Sequence, residues 1–442
     1  MSKFLSKLKI GFVLTACLAY INGQAQFEIG GQLVQRAEYK HGFGKTIEDT
    51  LESARSINQR LRLQMLYKSK KLQFFGSIQD VRLWGNTSQI KLSDGLLSLH
   101  EGWVSVVLDS AWSIKIGRQE LNYDNVRFLG NLDWAMQARA HDFALIKYEK
   151  QHHKLHIGLG YNQSSDLLSG NAFITPNQYK AAQMLWYNIK KSTFELSFLI
   201  WNNGKESLQY NSTGNIIKHQ IKYAHTLGIP VVKQSFWNNN VISGFAYYQF
   251  GKDVTNKDLN AYDISLQSSQ TVVLNSAKNN TLKITFGIES LSGTPTNNTK
   301  NENKSFSPMY GTNHVHNGYM DYFYVGGRFE NSVGLNDLYL RLRQDAEKKW
   351  FVSCDLHHFS ANANVYTAST RLKKQLGTEI DLTGGVIVSE DLSLQAGYSQ
   401  LFSTSTMDQL LGIKNKSNNQ NWAYLMLIVR PKNDKKFIGI LN

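Results

Sequence analysis

Apolar and polar residues alternate along much of this chain. Between residues 392 and 399, Leu, Leu, Ala and Tyr alternate with Ser, Gln, Gly and Ser. The same period of two runs through residues 27–40 and 60–68. This period indicates β-strands with an apolar and a polar face, and no comparable stretch has the spacing of an amphipathic helix. The pattern predicts an all-β protein.

Eight short polar clusters divide the predicted strands into hairpins: residues 68–71, 109–111, 149–154, 188–192, 235–240, 276–280, 345–349 and 388–391. One unpaired strand at each end, residues 27–40 and 422–430, brings the total to 18. Longer connections rich in Asn, Ser, Gly and Thr, such as residues 202–220 and 402–421, separate the hairpins. Short turns on one side, long loops on the other and an even strand number predict a transmembrane antiparallel β-barrel of about 18 strands. Both ends of the chain would then lie on the periplasmic side.

Composition bears on the same prediction. After the first two dozen residues the longest purely apolar run is residues 425–429, whereas a membrane-spanning helix needs about 20 such residues. A soluble β-sandwich or propeller is the alternative, because its strands also alternate. It would usually have shorter connections, a visible repeat and more than the 5 prolines of this chain. Five tryptophans near predicted strand ends are expected at the membrane interfaces: Trp84, Trp112, Trp186, Trp201 and Trp350.

Residues 1–25 have the features of a cleaved secretory signal peptide. Three lysines precede an apolar run at residues 10–21, and Gly23 and Ala25 place small residues before the expected cleavage point. The alternatives are a helical anchor, for which the apolar run is short, and a lipoprotein cleavage box at residues 14–17. Cleavage leaves the barrel as residues 26–442. It also lowers the formal charge from +14 to +11, because three lysines and no acids are lost.

The polar faces of the predicted strands carry basic residues. Arg60 and Arg62 share one face, and Arg341 and Arg343 repeat the arrangement far along the chain. Guanidinium groups bind carboxylates and phosphates, so a lumen lined by them would favour anions. The alternative is that these charges solvate a wide interior or pair with acids across strands. The basic residues expected to line the pore from this pattern are Arg36, Arg60, Arg62, Lys115, Arg341 and Arg343.

Two segments lack a clear period and carry motifs. The first contains Gly117-Arg118-Gln119, then Arg127-Phe128-Leu129-Gly130, then Trp134, Arg139 and Asp142. The second contains Gly287 to Gly293, then Tyr310-Gly311-Thr312-Asn313-His314 and Gly318-Tyr319-Met320-Asp321. In this order the motifs resemble the alginate export family of outer-membrane barrels. The chain departs from that family at Tyr123-Asp124-Asn125, where its members tend to have Tyr-Gly-Asp.

The resemblance implies an 18-stranded barrel with an electropositive pore for an anionic uronate polymer. By the matching positions, Arg118, Arg127, Arg139 and Asp142 would shape the pore entrance. The same comparison assigns His314 and Asp321 to a loop folded into the barrel. We further hypothesise that the long connection at residues 291–334 narrows the lumen.

No catalytic motif for a serine hydrolase, a zinc peptidase or a nucleotide-binding loop occurs in the sequence. We therefore expect no enzymatic activity, no metal and no cofactor. One remaining alternative is a barrel hydrolase that uses Ser292, His314 and Asp321. Binding of nucleic acid is not expected from an exported barrel.

These observations predict a passive channel in the outer membrane of a Gram-negative bacterium. Its cargo would be anionic oligo- or polysaccharide or another anionic solute, and its partners would be outer-membrane lipid, lipopolysaccharide and a periplasmic scaffold protein. The alternative function is a binding or structural barrel that its own loops plug, without free conductance.

Overall fold

The computed structural model describes residues 26–90, 95–166, 168–170, 173, 175, 178–368, 370–431, 433 and 435–440. The predicted signal peptide at residues 1–25 lies outside them. Eighteen long strands form one sheet within the described residues. They are β1 Gln26–His41, β2 Ala54–Lys68, β3 Leu72–Leu83, β4 Leu97–Val107, β5 Trp112–Gln119, β6 His141–Lys150, β7 His153–Tyr161, β8 Ala181–Lys190, β9 Phe194–Tyr210, β10 Ile216–Ser235, β11 Asn240–Lys252, β12 Asp258–Asn275, β13 Asn280–Leu291, β14 Leu335–Ala346, β15 Trp350–Ser360, β16 Gln375–Ile387, β17 Leu392–Ser403 and β18 Gln420–Val429.

The sheet closes on itself. Each strand pairs antiparallel with its neighbours in the chain, and β1 also pairs with β18 from Leu33 opposite Val429 to His41 opposite Asn421. All eight predicted short turns join consecutive strands at one end of the barrel, the turn end. The long connections lie at the other end, the loop end. The predicted antiparallel barrel of 18 strands is therefore confirmed.

The alternation of the sequence becomes an inner and an outer face. On β12, Ala261 and Asp263 point inwards and are fully buried, while Ile264 and Leu266 are about half exposed on the outside. Large exposed apolar side chains of this kind occur on strand after strand, which is the pattern expected for the outer surface of a barrel that contacts lipid. No helix among the described residues is long and apolar enough to cross a membrane.

The tryptophans divide between the two faces. Trp84, Trp112 and Trp350 are exposed near strand ends, as an interfacial position requires. Trp186 and Trp201 are instead buried inside the barrel, with 6% and 0% of their surface exposed. The prediction for these two is wrong because strand register, rather than nearness to a strand end, decides the face.

Two predicted loops contain regular structure. The expected connection at residues 202–220 is mostly strand, since β9 and β10 continue until only residues 211–215 form the turn. Backbone pairing tolerates polar side chains, so this hairpin stays extended beyond the length a membrane requires. The connection at residues 402–421 contains one short helix, α1, Ser405–Leu411. Thr404 caps its start, and Gly412 ends it at a positive φ of 71°.

Three segments fill much of the barrel interior. The first inward loop, residues 120–140, connects β5 to β6, and the second inward loop, residues 292–334, connects β13 to β14. Every residue from 310 to 324 is buried. The post-strand segment, described at residues 430–431, 433 and 435–440, follows β18 and turns back into the turn end of the barrel, where Ile438 is buried. The main core lies between these segments and the barrel wall. Short 3₁₀ turns occur at Trp237–Asn239, Asn313–Val315 and Val325–Gly327.

Candidate functional site

Arg60 holds the first inward loop against the wall. Its guanidinium lies 2.7 Å from the carboxylate of Asp133 and also donates to the backbone carbonyl of Met136 at 3.2 Å. Arg430 donates to the other carboxylate oxygen of Asp133 at 2.7 Å. Burial alone would raise the pKa of Asp133, but Arg60 and Arg430 lower it well below its ordinary value. Arg60 is fully buried, so it anchors the loop and is closed to solutes.

The two neighbouring arginines have similar roles. Arg36 donates to the backbone carbonyl of Trp134 at 2.9 Å and lies 4.2 Å from the centre of its ring. Arg62 donates to the side-chain oxygen of Gln79 at 2.7 Å, and Gln79 donates to the carbonyl of Gln137 at 2.9 Å. Both arginines therefore face inwards and are held to the first inward loop, Arg36 directly and Arg62 through Gln79.

Arg127 is the centre of a buried ionic cluster. It projects from the first inward loop and lies 3.1 Å from Asp263 and 2.8 Å from Glu289, two carboxylates of the barrel wall. It also donates to Asn317 of the second inward loop at 2.8 Å. Because the arginine is completely buried, this cluster joins both loops to the wall and does not present charge to an open pore.

The two inward loops also hold each other. Arg139 donates to the carbonyl of Gly311 at 3.0 Å. His314 stacks on Trp134 with ring centres 4.0 Å apart and bonds to Asp321 at 2.5 Å. His314 and Asp321 thus both lie in the buried part of the second inward loop.

Carboxylates of the wall position the second inward loop. Glu379 accepts the backbone N–H of Met320 at 2.8 Å. Asp337 bonds to His357 at 2.9 Å and also accepts from Asn317 at 3.2 Å. Pairing of lumen acids with arginines was one alternative from the sequence. It holds for Glu38 with Arg36 and for Asp355 with Arg341, whereas Glu379 binds a loop amide.

Arg118 and Asp142 do not line the lumen. They lie opposite each other on β5 and β6 and form an ion pair of 3.0 Å, with 40% and 59% of their side chains exposed. Alternation places Arg118 on the same outward face as Ile114 and Ile116. The expected place of these two residues at the pore entrance is therefore corrected by strand register.

Two cavities open inside the turn end of the barrel. Their volumes are about 620 and 710 Å³, and they share Asp124, Lys190 and Glu195 in their linings. Arg341 and Arg343 line the first cavity, and Lys115 lines the second. Arg36 also borders open space, in a separate cavity of about 240 Å³.

The cations of the first cavity differ in their partners. Arg341 lies 3.2 Å from Asp355, and Arg343 lies 2.8 Å from Asp345. Lys233 and Lys283 line the same cavity and form no ion pair among the described residues. Glu195 stands opposite Lys233 in the strand pairing, but its carboxylate pairs with Lys190 at 3.3 Å. Lys283 stands directly opposite Arg343 in the strand pairing, so like charges are neighbours there. Sequence reasoning missed these two lysines because only the pairing register shows what lies beside them.

Asp124 lies at the junction of the two cavities, and burial changes the pKa of its carboxyl group. Its carboxylate accepts the indole N–H of Trp186 at 2.7 Å. Burial raises the pKa of Asp124 from 3.8 to about 6, against the lowering effect of its hydrogen bonds. The residue lies at the position where the chain departs from the alginate-exporter motif.

The metal and hydrolase alternatives find little support. His100, Glu101 and Glu120 place three possible ligand atoms within 4.8 Å of one another. The same atoms are already engaged, since His100 bonds to Glu120 at 2.9 Å and Glu101 accepts the backbone N–H of Glu120 at 3.0 Å. Ser292 accepts the backbone N–H of Tyr262 at 2.7 Å, and no hydrogen bond joins it to His314 in the part of the chain described.

The fold resembles solved outer-membrane proteins. The outer membrane protein OpdK from Pseudomonas aeruginosa is 12% identical, with a TM-score of 0.56 over 91% of this chain and 98% of that one. OccAB4 from Acinetobacter baumannii is 10% identical, with a TM-score of 0.59 over 93% and 99% of the two chains. A structure of OpdK with vanillate is similarly related, with a TM-score of 0.57 at 12% identity over 91% and 98% of the chains.

These neighbours are outer-membrane β-barrel channels. At such low identity the likeness establishes the fold alone. No protein-family profile and no curated protein matches the sequence.

Proposed function

We propose that this protein is a passive, porin-like channel of the outer membrane for anionic solutes. The observation that carries the proposal is the pair of lysines, Lys233 and Lys283, on the wall of a cavity inside the barrel without ion-pair partners among the described residues. Such cations concentrate anions in a confined lumen. The channel has no catalytic step, and solutes would move down their gradient in either direction.

The cargo we propose is a carboxylate-bearing solute of modest size. Cavities of about 620 and 710 Å³ match the size of sites for small molecules. The inward loops favour small acids and short oligosaccharides over wide or branched polymers. The resemblance of the sequence to alginate exporters is the reason to include uronates, and passage of an extended polyuronate remains part of this proposal.

The proposed location follows from the fold and its surface. Residues 1–25 would direct export and be removed, and residues 26–442 would insert with the turn end towards the periplasm. The apolar outer face would contact lipid, and part of the surplus positive charge would contact lipopolysaccharide. A periplasmic scaffold protein would meet the turn end.

Planar bilayers test the channel. Under a salt gradient, we expect the reversal potential of the wild type to indicate anion selectivity, and short oligouronates to block the current. The double variant Lys233→Gln/Lys283→Gln should lose much of this selectivity. The control, Lys70→Gln/Lys191→Gln, removes the same charge from exposed periplasmic turns and should retain it. Equal selectivity in all three proteins would contradict the proposal.

The plugged barrel is the second candidate. It is favoured by the buried ionic contacts of Arg60 and Arg127, which fasten the first inward loop on both sides. A silent bilayer, combined with a folded barrel that shifts its gel mobility on heating, would support this candidate over the channel.

A further inference from the structure

A third cavity lies at the loop end of the barrel, apart from the two turn-end cavities. Its volume is about 300 Å³, and the ends of β9, β10 and β11 form one side of it. The second inward loop forms the other side. Leu259 and Met309 contribute apolar surface to the lining. We call this space the loop-end cavity.

Two lysines of the wall face each other in the loop-end cavity. Lys205 of β9 and Lys222 of β10 are direct cross-strand partners, and both line the cavity. Like charges directly opposite one another destabilise a sheet. Neither lysine forms an ion pair with any residue that the structure describes. An anion between the two ammonium groups would relieve their repulsion.

Asn203 supplies an independent sign of a ligand. It is completely buried in the lining, and its side-chain oxygen accepts the hydroxyl hydrogen of Tyr310 at 2.7 Å. Its side-chain NH₂ group has no acceptor among the described residues. A buried donor without an acceptor is unfavourable and is rare in folded proteins. A ligand oxygen in the cavity would satisfy it.

The acids around the loop-end cavity are largely engaged elsewhere. Asp253 accepts the backbone N–H of Lys257 at 2.9 Å and the amide of Asn303 at 3.0 Å. Glu302 pairs with Lys304 at 3.2 Å. Glu330 forms no ion pair with the residues described and is therefore available to accept hydrogen bonds from hydroxyl groups. The lining thus combines cations for a carboxylate with acceptors for hydroxyls.

We propose that the loop-end cavity binds a hydroxylated carboxylate of monosaccharide size. The ammonium groups of Lys205 and Lys222 hold the carboxylate, and the NH₂ group of Asn203 donates to an oxygen of the same ligand. This proposal rests on the proposed function, because it assumes that an anionic solute enters the channel from the loop end and binds in this cavity first. The ligand is either a free sugar acid or the terminal unit of a short oligouronate.

Calorimetric titration of the purified barrel in detergent tests the site. The probes are D-glucuronate, a triuronate and, as the neutral analogue, D-glucose. We expect the wild type to bind both acids and not glucose, and Lys205→Gln or Lys222→Gln to weaken binding about tenfold. The matched control is Lys218→Gln, which replaces an exposed lysine on β10, the strand of Lys222, and should bind like the wild type. Binding of the triuronate alone would identify the oligomer unit as the ligand.

Melting temperatures of the lysine variants show whether Lys205 and Lys222 serve binding or stabilise the barrel. Removing one of two repelling lysines should leave the melting temperature of the empty barrel unchanged or raise it, while acid binding weakens. Unaltered glucuronate and triuronate binding in Lys222→Gln, or equal affinity for glucose, would overturn the site. So would the absence of acid binding in the wild type.

Conductance on the same preparation separates the two proposals. A silent bilayer with lysine-dependent acid binding would refute the channel and leave the site standing. Anion-selective current that depends on Lys233 and Lys283, without any acid binding at the loop end, would refute the site and leave the channel standing.

Discussion

Arginines on the inner face of this barrel have two different environments. Arg60 and Arg127 are completely buried under inward loops and bonded to carboxylates. Arg343 instead borders a cavity, with its guanidinium 4.5 Å from the ring of Phe351. The same side chain therefore anchors a loop where the lumen is covered and lines open space where it is not.

Arg127 should contribute much more to the free energy of unfolding than an exposed arginine such as Arg118. Replacing it with Met leaves Asp263 and Glu289 buried without their counter-ion. We expect a loss of about 3–5 kcal/mol in the free energy of unfolding, measured by urea unfolding from lipid vesicles. The control is Arg118→Met, whose exposed ion pair should contribute no more than about 1 kcal/mol. Equal losses in the two variants would contradict a buried anchor.

Asp124 should make stability depend on pH. Its folded-state pKa of about 6 lies above its ordinary 3.8, because burial disfavours the charged form. The folded state therefore holds the proton more tightly, so this contribution is full below pH 4 and lost as pH rises through about 6. Relative to Asp124→Asn, the wild type should lose roughly 2 kcal/mol of its free energy of unfolding between pH 4 and pH 7.

Unfolding free energies at several pH values measure this difference for Asp124. Asp166→Asn, on an exposed connection, should follow the wild-type profile. Parallel profiles for Asp124→Asn and the wild type would show that the buried carboxyl has no such effect.

At the scale of elements, the post-strand segment closes part of the turn end. Gln395 of β17 donates to the carbonyl of Ile438 at 2.9 Å and accepts its backbone N–H at 3.0 Å. Phe437 packs on Phe351 with ring centres 4.7 Å apart. Gly439 adopts a positive φ of 70° directly against Trp134, so that a Cβ atom there would lie 2.1 Å from the indole ring.

Displacing this segment should widen the channel. Gly439→Val cannot keep both its backbone conformation and its contact with Trp134, so the segment should leave the lumen. We expect a larger single-channel conductance in planar bilayers. Gly214→Val introduces a similar backbone strain at φ 82° in an exposed turn with open space around it, and its conductance should stay at the wild-type level. Unchanged conductance in Gly439→Val would mean that the segment does not limit the current.

At the scale of the whole molecule, we expect the outer face of the barrel to contact lipid on all sides. Leu425 lies in the middle of β18 and is 58% exposed. Replacing it with Arg should cost about 2–4 kcal/mol of unfolding free energy in lipid vesicles, as expected near the bilayer midplane. Leu108→Arg, at a turn with 56% of the leucine exposed, should cost about 0–1 kcal/mol. A similar cost at both positions would argue against the predicted membrane placement.

Much of the architecture could be predicted from local signals. The strand number, the closed antiparallel order and the eight short turns all follow from a period of two interrupted by polar clusters. The prediction failed where position within a strand had to be known to a single residue. Trp186 and Trp201 were assigned to the wrong face, because a shift of one residue exchanges inside and outside. Arg118 and Asp142 were placed at the pore entrance by motif matching, which does not determine the face of a strand.

The sequence by itself determined the fold class, because alternation and turn chemistry are properties of neighbouring residues. It also determined which residue types would line the lumen. Only the tertiary structure decided which charges are free. Arg127 forms ion pairs with Asp263 and Glu289 across more than a hundred residues of chain, whereas Lys205, Lys222, Lys233 and Lys283 form no ion pair among the described residues. Such pairings depend on barrel closure and on loops folding inwards. Contacts between residues so far apart in the chain do not produce a pattern that the sequence alone reveals.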